Sequence, residues 1–175
     1  MQNGTRSSVA AAALAVAVLN FGCKHDRAAS GFVAVRADRQ ITGNSKFPVA
    51  IDPNQVGTYP PEVKSGAGYF YDDVLEYRVW FDPEKGAKPL NGSQDYFVAF
   101  AQYEPAQTLS ETAPGAEPPL VLVRQLQWID EPKRGAFIPN KGDRITEWQV
   151  AWLADSKRSN QSIEEFLKHP KEAGP

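Results

Sequence analysis

Residues 69–103, YFYDDVLEYRVWFDPEKGAKPLNGSQDYFVAFAQY, decide how this chain folds. Within them, 74–81 alternates: Leu75, Tyr77, Val79 and Phe81 point to one side, and Val74, Glu76, Arg78 and Trp80 to the other. A period of two carried by β-branched and aromatic side chains predicts a half-buried strand. Asp82-Pro83-Glu84-Lys85-Gly86 and Asn91-Gly92 break the pattern with turn residues, and a second apolar run, 96–100, follows. The segment reads as an antiparallel pair with a long loop, its core built by Leu75, Tyr77, Val79 and Phe81.

Downstream, 104–112 reads as a short helix, with Pro105 in its first turn and Pro114-Gly115 at its end. Residues 120–129 form the next strand, with Leu120, Leu122, Leu126 and Trp128 on one face. Residues 145–153 alternate again, placing Trp148, Val150 and Trp152 opposite Ile145, Glu147, Gln149 and Leu153. Ser162-Ile163-Glu164-Glu165 has the S-x-x-E spacing of a capping box, and Pro170 stops the helix it opens. The order β-β-α-β-(β)-β-α predicts an α+β fold: a small antiparallel sheet of about four or five strands with two short helices on one face.

Composition narrows the function classes. The 14 prolines and 13 glycines favour short elements and many loops, and 42% apolar residues suffice for a core. The formal net charge of −2, with no basic stripe, argues against a nucleic-acid partner. A single cysteine and two distant histidines, His25 and His169, leave no internal disulfide and no metal-ligand pattern. Neither G-x-S-x-G nor a phosphate-cradling glycine motif occurs.

The N-terminus differs in kind. Arg6 precedes an apolar Ala/Val/Leu run over 9–19, with no acid before Asp26, which is the layout of a secretory signal. Cys23 follows Gly22 at the end of that run and resembles the lipobox cysteine of bacterial lipoproteins, although Asn20 stands where that pattern has leucine. The chain then divides into a signal peptide at 1–22, a polar Pro/Gly-rich tether at 23–62, one α+β domain at 63–170 and a flexible tail at 171–175. Lipidation of Cys23 would place the protein in the cell envelope, anchored to a membrane or periplasmic; the alternative is a cytoplasmic protein.

The candidate ligand-binding residues are Glu76, Arg78 and Trp80, in a row on the face opposite the core, with Glu147 and Trp148 beside them if the strands neighbour. Asp72-Asp73 reads as a solvated turn, and the two histidines fall in the chain's ends.

From Asp73 to Leu153 the chain resembles a small family of bacterial proteins often labelled GNAT-type acetyltransferases. The likeness rests on DVLEYRVWFDPEKGA, PGAEPPLVLV, QWIDEP and ITEWQVAWL. It implies a common fold, and the label implies acetyl-CoA. Acetyltransferases of that type cradle the pyrophosphate with an Arg/Gln-x-x-Gly-x-Gly/Ala loop opening a helix. The nearest match, Val63-Lys64-Ser65-Gly66-Ala67-Gly68, lacks the Arg or Gln and precedes a strand. The leading expectation is thus a lipoprotein with a non-catalytic binding or scaffolding domain, needing no cofactor, its partners a membrane and an unidentified protein or small molecule. An acetyltransferase-like enzyme and a small-ligand carrier are the alternatives.

Overall fold

The computed structural model describes residues 34–36, 43–66, 68–90, 92 and 94–170. The signal-like segment, Cys23, His25 and the last five residues lie outside the described residues. In chain order come β1 (Ala34–Arg36), β2 (Lys64–Ser65), β3 (Asp73–Phe81), β4 (Tyr96–Phe100), α1 (Tyr103–Thr112), β5 (Leu120–Lys133), β6 (Ala136–Gln149) and α2 (Ser162–Lys168), with 3-10 turns at Pro83–Lys85 and Val150–Leu153.

The fold is α+β, as the element order predicts. One sheet runs β1-β4-β3-β5-β6-β2. Its four long strands are antiparallel neighbours, while the short β1 and β2 flank them in parallel with β4 and β6. β5 and β6 are longer than their alternation suggests, because Arg134-Gly135 turns one continuous ribbon; Gly135, at φ 77°, takes the left-handed conformation that turn needs.

The main core lies on one face, where Val74, Tyr77, Val79, Phe81, Val98, Phe100, Val121, Val123 and Trp148 meet Ala106 of α1. Val74 rather than Leu75 joins this cluster. The register with β5 shifts between Val74 and Glu76, so Leu75 is the extra residue of a bulge and the side-chain parity reverses there. Leu153 also changes sides: Val150–Leu153 winds into a 3-10 turn, which brings Val150 and Leu153 into the same core as Trp148.

The largest departure concerns residues 45–61, expected as part of a tether. They form a strap across the domain. Ser45 Oγ and the Lys46 N–H donate to Glu104 at 2.8 and 2.6 Å, and the Ala50 and Ile51 N–H groups donate to the Ala101 and Val74 carbonyls at 2.8 Å each. Ala50 and Val56 are buried against Phe97 and Ala99, so β3 is covered on both faces rather than half-buried. Proline disguises such a segment because it cannot donate to a sheet. Its carbonyl still accepts, and Tyr77 Oη donates to the Pro48 carbonyl at 2.6 Å. At α2, Ser162 is the first helical residue rather than the cap; its Oγ accepts the Ser159 N–H at 2.8 Å instead of a bond from the helix.

Candidate functional site

The structure brings together four of the five residues expected to bind a ligand and fills the space in front of them. Glu76 and Arg78 alternate on β3, so both project from the face opposite the main core, and both have 0% exposure. Arg78 Nε donates to Glu76 Oε1 at 2.7 Å, and Arg78 Nη1 lies 3.6 Å from Glu147 Oε1. Trp80 Nε1 donates to the same Glu147 oxygen at 3.1 Å. The guanidinium stacks 4.3 Å from the Phe97 ring centroid. The strap completes the set: the Gly57 N–H donates to Glu76 Oε2 at 2.6 Å, and the Pro60 carbonyl accepts from Arg78 Nη2 at 2.9 Å.

A closed cluster of this kind has its donors and acceptors engaged from within the chain. Its task is to hold the strap. Burial drives the Glu76 carboxyl above the ordinary carboxylate range, opposed by Arg78 and the Gly57 N–H and assisted by Glu147. Trp148 does not join: neighbours on β6 face opposite ways, and its ring sits in the main core beside Tyr71 and Trp152.

Two further polar clusters fasten the other end of the sheet. Asp72, expected in a solvated turn, is buried. Arg158 Nε and Nη2 each lie 2.6 Å from Asp72 Oδ1, and Asp72 Oδ2 accepts the Leu126 N–H at 2.5 Å. With the Tyr71 N–H bonded to the Ser156 carbonyl at 3.0 Å and the Arg158 N–H to the Tyr71 carbonyl at 2.8 Å, Asp72 clips the C-terminal segment to the sheet. Gln125, also buried, donates to the Phe70 carbonyl at 2.6 Å and accepts from Arg144 Nε at 2.9 Å and Thr146 Oγ1 at 2.8 Å.

These fasteners shape a groove that no sequence motif announces. It measures about 710 Å³ and is lined by Tyr69, Phe70, Ala154, Asp155, Ser156, Ser162, Glu165, Phe166 and His169. Phe166 of α2 is the hub of its aromatic wall, with ring centroids 4.7 Å from Tyr69, 5.8 Å from Phe70 and 5.0 Å from Phe137. The Tyr69 hydroxyl donates to Glu131 Oε2, while Glu131 Oε1 accepts the Gly135 N–H at 2.6 Å. The Tyr69 bond, and after it that of Gly135, holds Glu131 below the usual carboxylate range. Tyr69 (φ 63°) and Asp155 (φ 58°) are the only non-glycine residues at positive φ among the described residues, and both line this groove. Each such conformation costs on the order of 1–3 kcal/mol and persists where the surroundings over-determine it. His169, expected in a loose end, stands at the C-terminus of α2 as part of the lining.

The sequence carries a trace of the groove in the run Tyr69-Phe70-Tyr71 and in Phe166, but those residues meet only through long-range packing. Lys64–Ser65 pairs with β6 as a strand, and the next regular element is β3, not a helix. Among the described residues no three His, Cys, Asp or Glu side chains converge as metal ligands, and no helix is long and apolar enough to cross a membrane. No protein-family model matches the chain, and no match is found among curated proteins or solved structures.

Proposed function

We propose that this domain is a non-catalytic binding module that takes a small ligand in the groove between Tyr69-Phe70 and α2. The observation that carries it is the pairing of an aromatic-walled recess of about 710 Å³ with two strained non-glycine residues on its lining. Small-molecule sites are typically clefts of about 300–1,000 Å³ with apolar walls and a few polar groups, which is the make-up here. The Glu76–Arg78–Glu147 face supports a structural role instead, its partners being supplied by the strap. The signal-like N-terminus and the placement of Cys23 support a cell-envelope lipoprotein as the setting.

Amide-resolved NMR with a set of neutral, cationic and anionic aromatic fragments tests the groove. Shifts should gather on Phe70, residues 154–156 and α2. A set that moves only the strap, or nothing at all, overturns the reading. Fatty-acid labelling of the full-length protein against Cys23→Ser tests the anchor, and an unlabelled wild type ends that part of the proposal. Calorimetry with acetyl-CoA should show no saturable binding; clear saturation would restore the acetyltransferase alternative.

A further inference from the structure

We infer that the groove selects an organic cation, a ligand presenting an alkylated ammonium group; this rests on the groove being the binding site. Its charged lining is one-sided. Asp155 and Glu165 contribute carboxylates, and among the described residues the lining holds no lysine or arginine, its one basic side chain being the His169 imidazole. Both acids are exposed, and among the described residues neither forms an ion pair with a lysine or arginine. The nearby basic groups are committed elsewhere: Arg158 to Asp72, Lys157 toward Asp73 at 3.8 Å and Lys168 to Glu164 at 2.6 Å.

The apolar wall has matching chemistry. Tyr69, Phe70 and Phe166 line the groove with tilted and edge-on rings rather than a flat stack. Ring faces carry the negative end of the aromatic quadrupole and attract cations, most of all diffuse ones that shed water easily. The Tyr69 hydroxyl donates to the Glu131 carboxylate, which enriches its ring in electron density and fixes its orientation. An aromatic wall beside two carboxylates without a lysine or arginine partner among the described residues is complementary to a bulky ammonium. A phosphate or carboxylate ligand would meet two like charges and, among the described residues, no lysine or arginine on the lining.

The probe is choline, titrated into the full-length protein by amide-resolved NMR beside its uncharged carbon isostere, 3,3-dimethyl-1-butanol, and beside phosphocholine. Choline should shift Phe70, residues 154–156 and α2, binding at least about tenfold more tightly than the isostere, as the loss of cation–π and carboxylate attraction implies. Phosphocholine, with its added anionic group, should bind more weakly than choline. The double variant Asp155→Asn/Glu165→Gln, altered only at exposed positions, should keep its melting temperature and lose about tenfold in choline affinity. Equal binding of choline and isostere at the groove overturns the cation inference and leaves the binding-module reading standing. Tighter binding of phosphocholine overturns it too and points to a headgroup phosphate as the recognised feature. If the groove responds to no probe and to none of the aromatic fragments, both readings fall together.

Discussion

Arg78→Ala is the substitution whose effect the structure fixes most closely. The side chain is fully buried, and its partners include the Glu76 carboxylate at 2.7 Å, the Pro60 carbonyl at 2.9 Å, the Glu147 carboxylate at 3.6 Å and the Phe97 ring at 4.3 Å. Removing it leaves Glu76 as a buried carboxylate without its counter-charge, a change that typically costs about 3–5 kcal/mol. For a domain of this size that corresponds to a fall in melting temperature of about 10–20 °C. An exposed strand-face ion pair would be worth at most about 1 kcal/mol, so the two readings of this face differ by a measurable margin. The double variant Glu76→Gln/Arg78→Met removes both charges, keeps an acceptor for the Gly57 N–H and packs a thioether on Phe97. It should recover at least half the loss, because replacing a buried ion pair by matched neutral groups is often close to neutral. Urea melts of wild type, Glu76→Gln, Arg78→Met and the double variant close the cycle, with Arg78→Ala measured beside them.

The same cluster sets a pH test with a definite sign. Burial raises the folded-state pKa of Glu76, so the folded chain holds that proton more tightly than the unfolded chain does. Stability from this group therefore grows as pH falls through the folded pKa and is lost as pH rises through it. Arg78 opposes the rise, and without it the effect enlarges. The deficit of Arg78→Ala relative to wild type should shrink between about pH 7 and about pH 5, and Glu76→Gln should abolish that dependence. A deficit below about 1 kcal/mol, additive single variants, or a deficit flat with pH would refute the account of this cluster.

Three other substitutions probe the remaining fasteners. Gly115→Ala forces an alanine to φ 69° and drives its Cβ into the Ala87 backbone nitrogen, so it should cost more than about 2 kcal/mol by denaturant melt; a neutral result would mean the Ala87 loop moves freely. Asp72→Ala releases Arg158 and the Leu126 N–H, and should cost about 2–4 kcal/mol while speeding hydrogen exchange at Tyr71 and Arg158; unchanged exchange at those two amides would show that Asp72 is no clip. Gln125→Leu strips partners from the Phe70 carbonyl, Thr146 and Arg144, and should cost about 2–4 kcal/mol against under about 1 for the partly exposed control Gln107→Leu; equal costs would refute the network.

What the sequence made legible follows from the range of the interactions involved. Alternation along 74–81 and the apolar run at 96–100 are local, so the central antiparallel pair could be read directly. Parity is fragile by comparison. One bulge residue, Leu75, changes which side chains share the core, and nothing in its neighbours' chemistry marks it. Prolines at 48, 60 and 61 read as punctuation because sequence rules count the missing donor and not the carbonyl, whereas all three carbonyls accept, that of Pro48 from Tyr77 and those of Pro60 and Pro61 from Arg78.

The candidate site failed to appear for a related reason. Glu76, Arg78 and Trp80 stood out because three polar or amphipathic groups in one strand face look like a platform, and Glu147 does come to them. Whether such a row meets a ligand or the chain itself depends on residues about twenty positions upstream, whose affinity for it lies in backbone N–H and C=O groups common to every sequence. The groove has the opposite character. Its walls come from 69–70, 154–156 and 162–169, segments brought together by the Asp72 clip and by Phe166 packing on Tyr69 and Phe70, and its signal is a pair of left-handed backbones at Tyr69 and Asp155. Those conformations are imposed by tertiary packing on a tyrosine, which rarely adopts them, and on an aspartate, which tolerates them without requiring them, which is why such backbones are seen in a structure and not in a string of letters.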